Sequence, residues 1–283
     1  MKTYNVFWTG GVDSTFLVTQ LSQFPVVIRS FYIKGQTFRQ SEPQELAAIT
    51  TIRELLIADP RTKAEILPIT VIEKDDSRIK DREIVKAYRR LNMKLLSEYK
   101  EKQGGKLPPV GSQKLYAAGA FFSPQYVPCA SLAQYYGAPF EIGLTADDLN
   151  NCEDLKLISG VEVLDEVTNR KWLKPCENNM DKDAYMIFGK MLLPIAGQRI
   201  YKRDIWQWYA EHDYLQVRSK TITCQEPIVH EDGTWEPCGR CAPCIVAIHE
   251  NGLEPFTEDG IARYRDYMEN HEKEPERFRL KGF

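Results

Sequence analysis

Short apolar runs alternate along this chain with longer stretches in which apolar residues return every three or four positions. Tyr4 to Trp8, Val26 to Ile33, Glu65 to Ile72 and Phe140 to Leu144 are rich in β-branched or aromatic residues, the pattern of strands buried on both faces. Between them Leu46, Ile49, Ile52, Leu55 and Leu56 recur at helical steps, and Pro60 follows where a helix has ended. This alternation predicts an α/β fold, a parallel sheet with helices on both faces, with its ligand crevice at the carboxyl ends of the strands. Trp206, Trp208 and Tyr209 lie on a further helical pattern from about Lys202 and read as core or interface packing, not ligand stacking. The charged stretch from Asp75 to Gly105 reads as a solvated helix ending at a Gly-Gly-Lys-Leu-Pro-Pro break. A macromolecular contact is the alternative reading of that stretch.

The first strand runs into Phe-Trp-Thr-Gly-Gly-Val-Asp-Ser-Thr-Phe, Phe7 to Phe16, a two-glycine turn opening a helix. A helix start leaves its first backbone N–H groups without intrahelical partners and carries the positive end of the macrodipole, so this turn predicts an anion seat. Gly10 and Gly11 let the backbone approach an oxyanion, Thr9 and Ser14 add hydroxyls, and Asp13 is placed to hold a divalent metal. Val12 and Thr15 complete the loop. No lysine follows, which separates it from a Walker A sequence, and a third glycine is missing for the dinucleotide fingerprint. The alternative is an ordinary strand-to-helix turn in which Asp13 and Ser14 satisfy backbone donors.

At 283 residues and 43% hydrophobic, the chain is long enough to bury a full core. A net charge of −3 gives no broad electrostatic reason to expect nucleic acid. Met1 to Trp8 is too short for a signal peptide and no later run approaches the about 20 apolar residues of a membrane span, so a cytoplasmic protein is expected. Seven cysteines do not make a disulfide framework at this length. Cys238-Gly-Arg-Cys241-Ala-Pro-Cys244 supplies three thiols at two-residue spacers, and Cys224 precedes them across a stretch with Pro227, Gly233 and Pro237 that can fold back. Four sulfurs suit tetrahedral Zn2+ in a closed, structural shell. Redox pairs and iron–sulfur ligation are the other readings, with His230 as a substitute ligand. Cys129, Cys152 and Cys176 read as ordinary small hydrophobes.

The loop from Thr9 to Ser14 resembles the Ser-Gly-Gly-x-Asp-Ser pyrophosphate loop of the ATP pyrophosphatase superfamily, with threonine in place of serine. Within that superfamily the chain resembles the 7-cyano-7-deazaguanine synthases. Thr221-Ile-Thr-Cys224, Cys238-Gly-Arg-Cys241-Ala-Pro-Cys244 and Asn251-Gly252-Leu253 are similar to their zinc segment. Gly35-Gln36, followed by a helix with Glu42 and Glu45, is similar to their Tyr-Gly-Gln region. The resemblance implies an ATP-binding domain over residues 1–220 and a zinc lobe with a terminal helix over residues 221–283, in a homodimer. It also implies the fold of the adenine nucleotide alpha hydrolases.

The implied reaction uses ATP and Mg2+ to adenylate a carboxylate on a 7-deazaguanine, after which ammonia captures the acyl group to give an amide and then a nitrile. Thr9, Gly10, Gly11, Val12, Asp13, Ser14 and Thr15 would bind ATP, Asp13 and Ser14 would act in catalysis, and Gln36, Arg39 and Asp148 would lie toward the substrate. The chain departs from the family at Lys34, where an acidic and tyrosyl pattern is usual. It also departs at Val127-Pro128-Cys129-Ala130, where a Pro-Gly-Arg-Asn run is usual. Gly143-Leu-Thr-Ala-Asp-Asp148 follows the family's Gly-to-Asp substrate segment only loosely, and the charged region from residue 75 to 113 is an addition. These departures keep three alternatives open: conjugation of the acyl group to a protein or nucleic-acid amine, a tRNA-modifying thiolase, and a non-catalytic nucleotide-binding assembly protein.

Overall fold

The computed structural model describes residues 1–35, 40–102, 104, 123–151, 155–251 and 256–271. Gln36, Arg39, Cys152, Gly252, Leu253 and nearly all of the Gly-Gly-Lys-Leu-Pro-Pro break lie outside them. The chain opens with β1 (Thr3–Phe7), α1 (Val12–Ser22), β2 (Val27–Ile33) and α2 (Glu42–Ala58), then β3 (Glu65–Ile66), β4 (Thr70–Ile72) and α3 (Arg82–Lys102). It continues with α4 (Tyr126–Tyr136), β5 (Phe140–Glu141), α5 (Ala146–Asn151), a hairpin of β6 (Gly160–Asp165) and β7 (Arg170–Pro175), and α6 (Lys182–Phe188). Then come β8 (Met191–Leu192), α7 (Pro194–Gly197), α8 (Lys202–Glu211) and α9 (Leu215–Arg218). A small hairpin of β9 (Ile228–Val229) and β10 (Trp235–Glu236) leads to α10 (Ala242–Asn251) and α11 (Glu258–His271).

The central sheet runs β3-β2-β1-β5-β8 with β4 also on β2, and all its pairings are parallel. Alternation along its strands divides two apolar layers. Tyr4, Val6, Ile28 and Tyr32 pack with α1, α2, α8 and α9 on one face. Phe7, Phe31, Ile33 and Phe140 pack with α3, α4 and α6 on the other. The chain leaves β1 toward β2 on one side, while β5 lies on the other, so a switch point falls at the carboxyl end of β1.

Two strands differ from the sequence expectation. The run from Glu65 to Ile72 is divided at Pro68, which has no N–H for the ladder, and its halves pair separately with β2. The run from Phe140 to Leu144 is strand only at Phe140 and Glu141; Leu144 N–H turns back to Ile142 O, and Gly143 lies against the start of α1. The β6–β7 hairpin is an addition to the expected plan. It joins the sheet through a Leu173–Leu193 bridge and a buried Arg170–Glu141 ion pair of 2.5 Å.

Among the described residues no helix is long and apolar enough to cross a membrane. The chain after α9 turns back to the mouth of the sheet, where Ile222 N–H donates to Gly10 O and Gln40 N–H to Gln225 O, each at 2.9 Å.

Candidate functional site

Val12 opens α1 directly after β1, and Thr15 N–H makes the first helical bond, 2.9 Å to Gly11 O. The N–H groups of Val12, Asp13 and Ser14 therefore lie ahead of the hydrogen-bond ladder, the condition for an anion seat. Gly10 holds φ at +71°, and a Cβ there would also press to 3.0 Å from Glu45 O. Ser14 Oγ sits 3.1 Å from Thr9 Oγ1 and accepts from Thr9 N–H at 3.2 Å. The loop thus presents main-chain donors and two neighbouring hydroxyls.

A second loop crosses the first at Gly143, where a Cβ would lie 2.9 Å from Ser14 N. Only glycine lets the β5–α5 connection pass so close to the start of α1. Beyond the crossing, Thr145 and Asp148 cap α5 reciprocally. Thr145 N–H donates to Asp148 Oδ2 at 2.9 Å, and Asp148 N–H lies 3.3 Å from Thr145 Oγ1. The same loop brings Asp147 to the start of α8, where it accepts Lys202 N–H at 2.7 Å. Lys202 Nζ reaches Asp148 Oδ1 at 3.2 Å.

Asp13, Asp147, Asp148 and Lys202 consequently share one field. Burial pushes the Asp13 carboxyl up to about 6; Lys202 works against that rise, and Asp148 and Asp147 add to it. Closely spaced carboxylates with one cation leave net negative charge that a divalent ion would neutralise. Asp13, Asp148 and Lys202 line a cavity of about 520 Å3 at the carboxyl ends of β1, β2 and β5, a size typical of small-molecule sites. Its other walls include Tyr32, Glu45, Cys129, Trp206 and Thr223. Glu45 is buried and accepts from Tyr32 Oη and Ser41 Oγ, both at 2.7 Å.

Thr9, Gly11, Val12, Asp13, Ser14 and Asp148 are thus brought together on the cavity, with Gly10 shaping the loop from behind. Thr15 is fully buried and accepts from Trp8 Nε1 at 3.0 Å, so it supports the loop from inside the core. Trp206 packs under the Arg218 guanidinium, which lies 3.6 Å from the ring centroid, and also lines the cavity, whereas Trp208 and Tyr209 pack against Phe16. Lys34 makes a surface pair with Glu73 at 2.9 Å. Lys202 escaped sequence reasoning because no spacing rule links it to residue 13.

Cys224, Cys238, Cys241 and Cys244 place their sulfurs within 4.8 Å of one another. Zinc bonds of about 2.3 Å in a tetrahedron separate sulfurs by about 3.8 Å, and Cys224 Sγ lies 3.9 Å from Cys241 Sγ. Cys238 N–H donates to Cys224 Sγ at 3.2 Å and Cys241 N–H to Cys238 Sγ at 3.3 Å, bonds that favour thiolates. Four thiols held this close together cannot all become thiolates without a cation to offset their charge. The donor set therefore fits Zn2+. Ala247, Ile248 and Phe256 pack around the cluster, and His230 is not among its four donors. Cys224 and Ala247 also line the large cavity, so the cluster borders the site.

Comparison of the chain with protein-family models and with curated proteins yields no match in either.

Proposed function

We propose that this protein is an ATP-dependent ligase that adenylates the carboxylate of a 7-deazaguanine and passes the acyl group to ammonia. The carboxylate oxygen attacks the α-phosphorus of ATP, the bond to the β-phosphate bridge breaks, and pyrophosphate leaves. Ammonia then adds to the acyl carbon, AMP leaves, and an amide forms; the amide oxygen attacks the α-phosphorus of a second ATP, pyrophosphate leaves, and departure of AMP carrying that oxygen, with loss of the two amide N–H protons, gives the nitrile. The observation that carries this reading is the convergence, on one cavity, of the open N–H groups of α1, the Thr9 and Ser14 hydroxyls, and the Asp13–Asp148–Lys202 cluster.

A carboxylate substrate is already ionised near neutral pH, so the first step calls for alignment and charge neutralisation more than for a base. Main-chain amides and Lys202 would hold the phosphates. Asp13 and Asp148 would hold Mg2+, which supplies electrostatic stabilisation of the leaving pyrophosphate. The deazaguanine and the ammonia follow from the resemblance of the loop and the cysteine segment to the nitrile-forming synthases. Zn2+ in its closed shell would stabilise the fold near the cavity mouth.

The test is pyrophosphate release from ATP with 7-carboxy-7-deazaguanine and ammonia, with intact-mass analysis of the products. Turnover is expected, falling about 10- to 100-fold in Lys202→Met or Ser14→Ala, as loss of one hydrogen bond to a charged group implies. Nucleotide binding without pyrophosphate release on any carboxylate would overturn the reading in favour of a binding protein. A mass gain on a protein or RNA acceptor in place of the amide would redirect it to conjugation.

A further inference from the structure

We propose that the four-cysteine metal site and the anion-binding loop form one thermodynamic unit, so that Zn2+ and a nucleoside triphosphate each tighten the binding of the other. The inference deepens the nucleotide reading above and rests on it. Its physical basis is the segment from Ile222 to Gln225, which is tied at one end to the anion-binding loop and at the other to the chain just ahead of α2. Ile222 N–H donates to Gly10 O and Gln225 O accepts from Gln40 N–H, both at 2.9 Å. A Cβ on Gly11 would meet Ile222 O at 3.6 Å, so the segment also lies against the loop's second glycine.

Cys224 sits between those two ties, and its sulfur belongs to the metal cluster. The metal ligand and the brace on the loop are therefore the same short piece of chain. A peptide unit is planar, so fixing the direction of Gly10 O also fixes the direction of the Gly11 N–H across the same bond. Gly10 occupies the left-handed region at φ +71°, where glycine has the freedom to turn that plane away if the brace is lost. Thr223 and Gln225, on either side of the ligand, line the cavity as well.

Metal at the cysteines thus orders the segment before nucleotide arrives, and nucleotide on the loop holds the segment in the form that the metal requires. Each ligand meets part of the ordering cost of the other. Linkage makes the effect reciprocal: whatever factor zinc adds to nucleotide affinity, nucleotide adds to zinc affinity.

The experiment uses the full chain loaded with zinc and an ATP analogue carrying a methylene between its α and β phosphates, with Mg2+. Calorimetry measures analogue affinity with zinc bound and after stripping by a zinc-selective chelator, while circular dichroism follows the sheet. A parallel titration measures zinc transfer to the chelator with and without the analogue. Both affinities are expected to change by the same factor, about tenfold. Ile222→Pro, which removes the N–H that Gly10 O accepts, is expected to bring that factor toward one with one zinc still bound.

Zinc transfer that is indifferent to the analogue would overturn the proposal, and this measurement decides the matter even if the stripped protein unfolds. An unchanged factor in a zinc-loaded Ile222→Pro protein would overturn the assigned brace. Failure of the zinc-loaded protein to bind the analogue at all would instead overturn the nucleotide reading on which the proposal rests.

Discussion

Asp13 carries the sharpest consequence at the scale of single residues. Its carboxyl is held at about 6 in the fold, above the ordinary aspartate value of 3.8, with burial as the largest cause. Between those two values the folded protein binds more protons than the unfolded chain, so stability falls as pH rises through the window and the full penalty remains above it. Replacing the charge by an amide relieves that penalty. Asp13→Asn is therefore expected to raise Tm at pH 8, by about 2 °C for each kcal/mol relieved, and by roughly half as much at pH 5, as thermal denaturation would show. On the proposed function, the same change should abolish Mg2+-dependent nucleotide binding. In the unaltered protein that binding should weaken as pH drops below 6, because a metal ligand must shed its proton.

At the scale of elements, the site depends on two loops crossing with almost no space between them. Gly143→Ala would set a methyl group 2.9 Å from Ser14 N, against backbone that has no flexible end to give way. The expected cost is about 1–3 kcal/mol in chemical denaturation, with weakened nucleotide binding from displacement of the α1 start. Gly137→Ala offers the contrast. A Cβ there meets nothing within 4 Å, so the effect should be confined to the left-handed strain at φ +61° and leave nucleotide affinity unchanged.

The elements also differ in how plainly their sequences announce them. β1 and β2 are short, mostly buried runs rich in β-branched and aromatic residues, and α2 repeats its apolar residues at helical steps. β8 is two residues long, too short for any period to register. β6 and β7 mix charged residues into both strands, since much of the hairpin faces water, and so carry no clean alternation. Pro68 in the third run was the visible warning that one expected strand would be two.

At the scale of the whole molecule, the hairpin is tied to the sheet by a charged group buried on each side. Arg170 and Glu141 are both almost fully buried, and Trp172 Nε1 donates to Glu141 Oε1 at 3.1 Å. Burial raises the Glu141 pKa while Arg170 opposes the rise. Removing one partner strands the other in the core. Arg170→Met should thus cost about 3–5 kcal/mol in urea denaturation, and Arg170→Met with Glu141→Gln should recover much of that loss.

By itself the sequence determined whatever depends on near neighbours along the chain: the α/β alternation, the glycine turn opening α1, and the tight run of cysteines. Each is legible because a strand, a helix start or a chelating loop is built from residues a few positions apart, and their periods and spacings follow from backbone geometry. Tertiary structure alone decided that Gly143, Asp148 and Lys202 meet Asp13, that Trp206 faces a cavity, and that Ile222 braces Gly10. Those contacts join distant parts of the chain through the parallel sheet, whose packing of helices on two faces sets which strand ends converge. Local spacing carries no record of that convergence, since it depends on how the layers stack and not on any residue's neighbours.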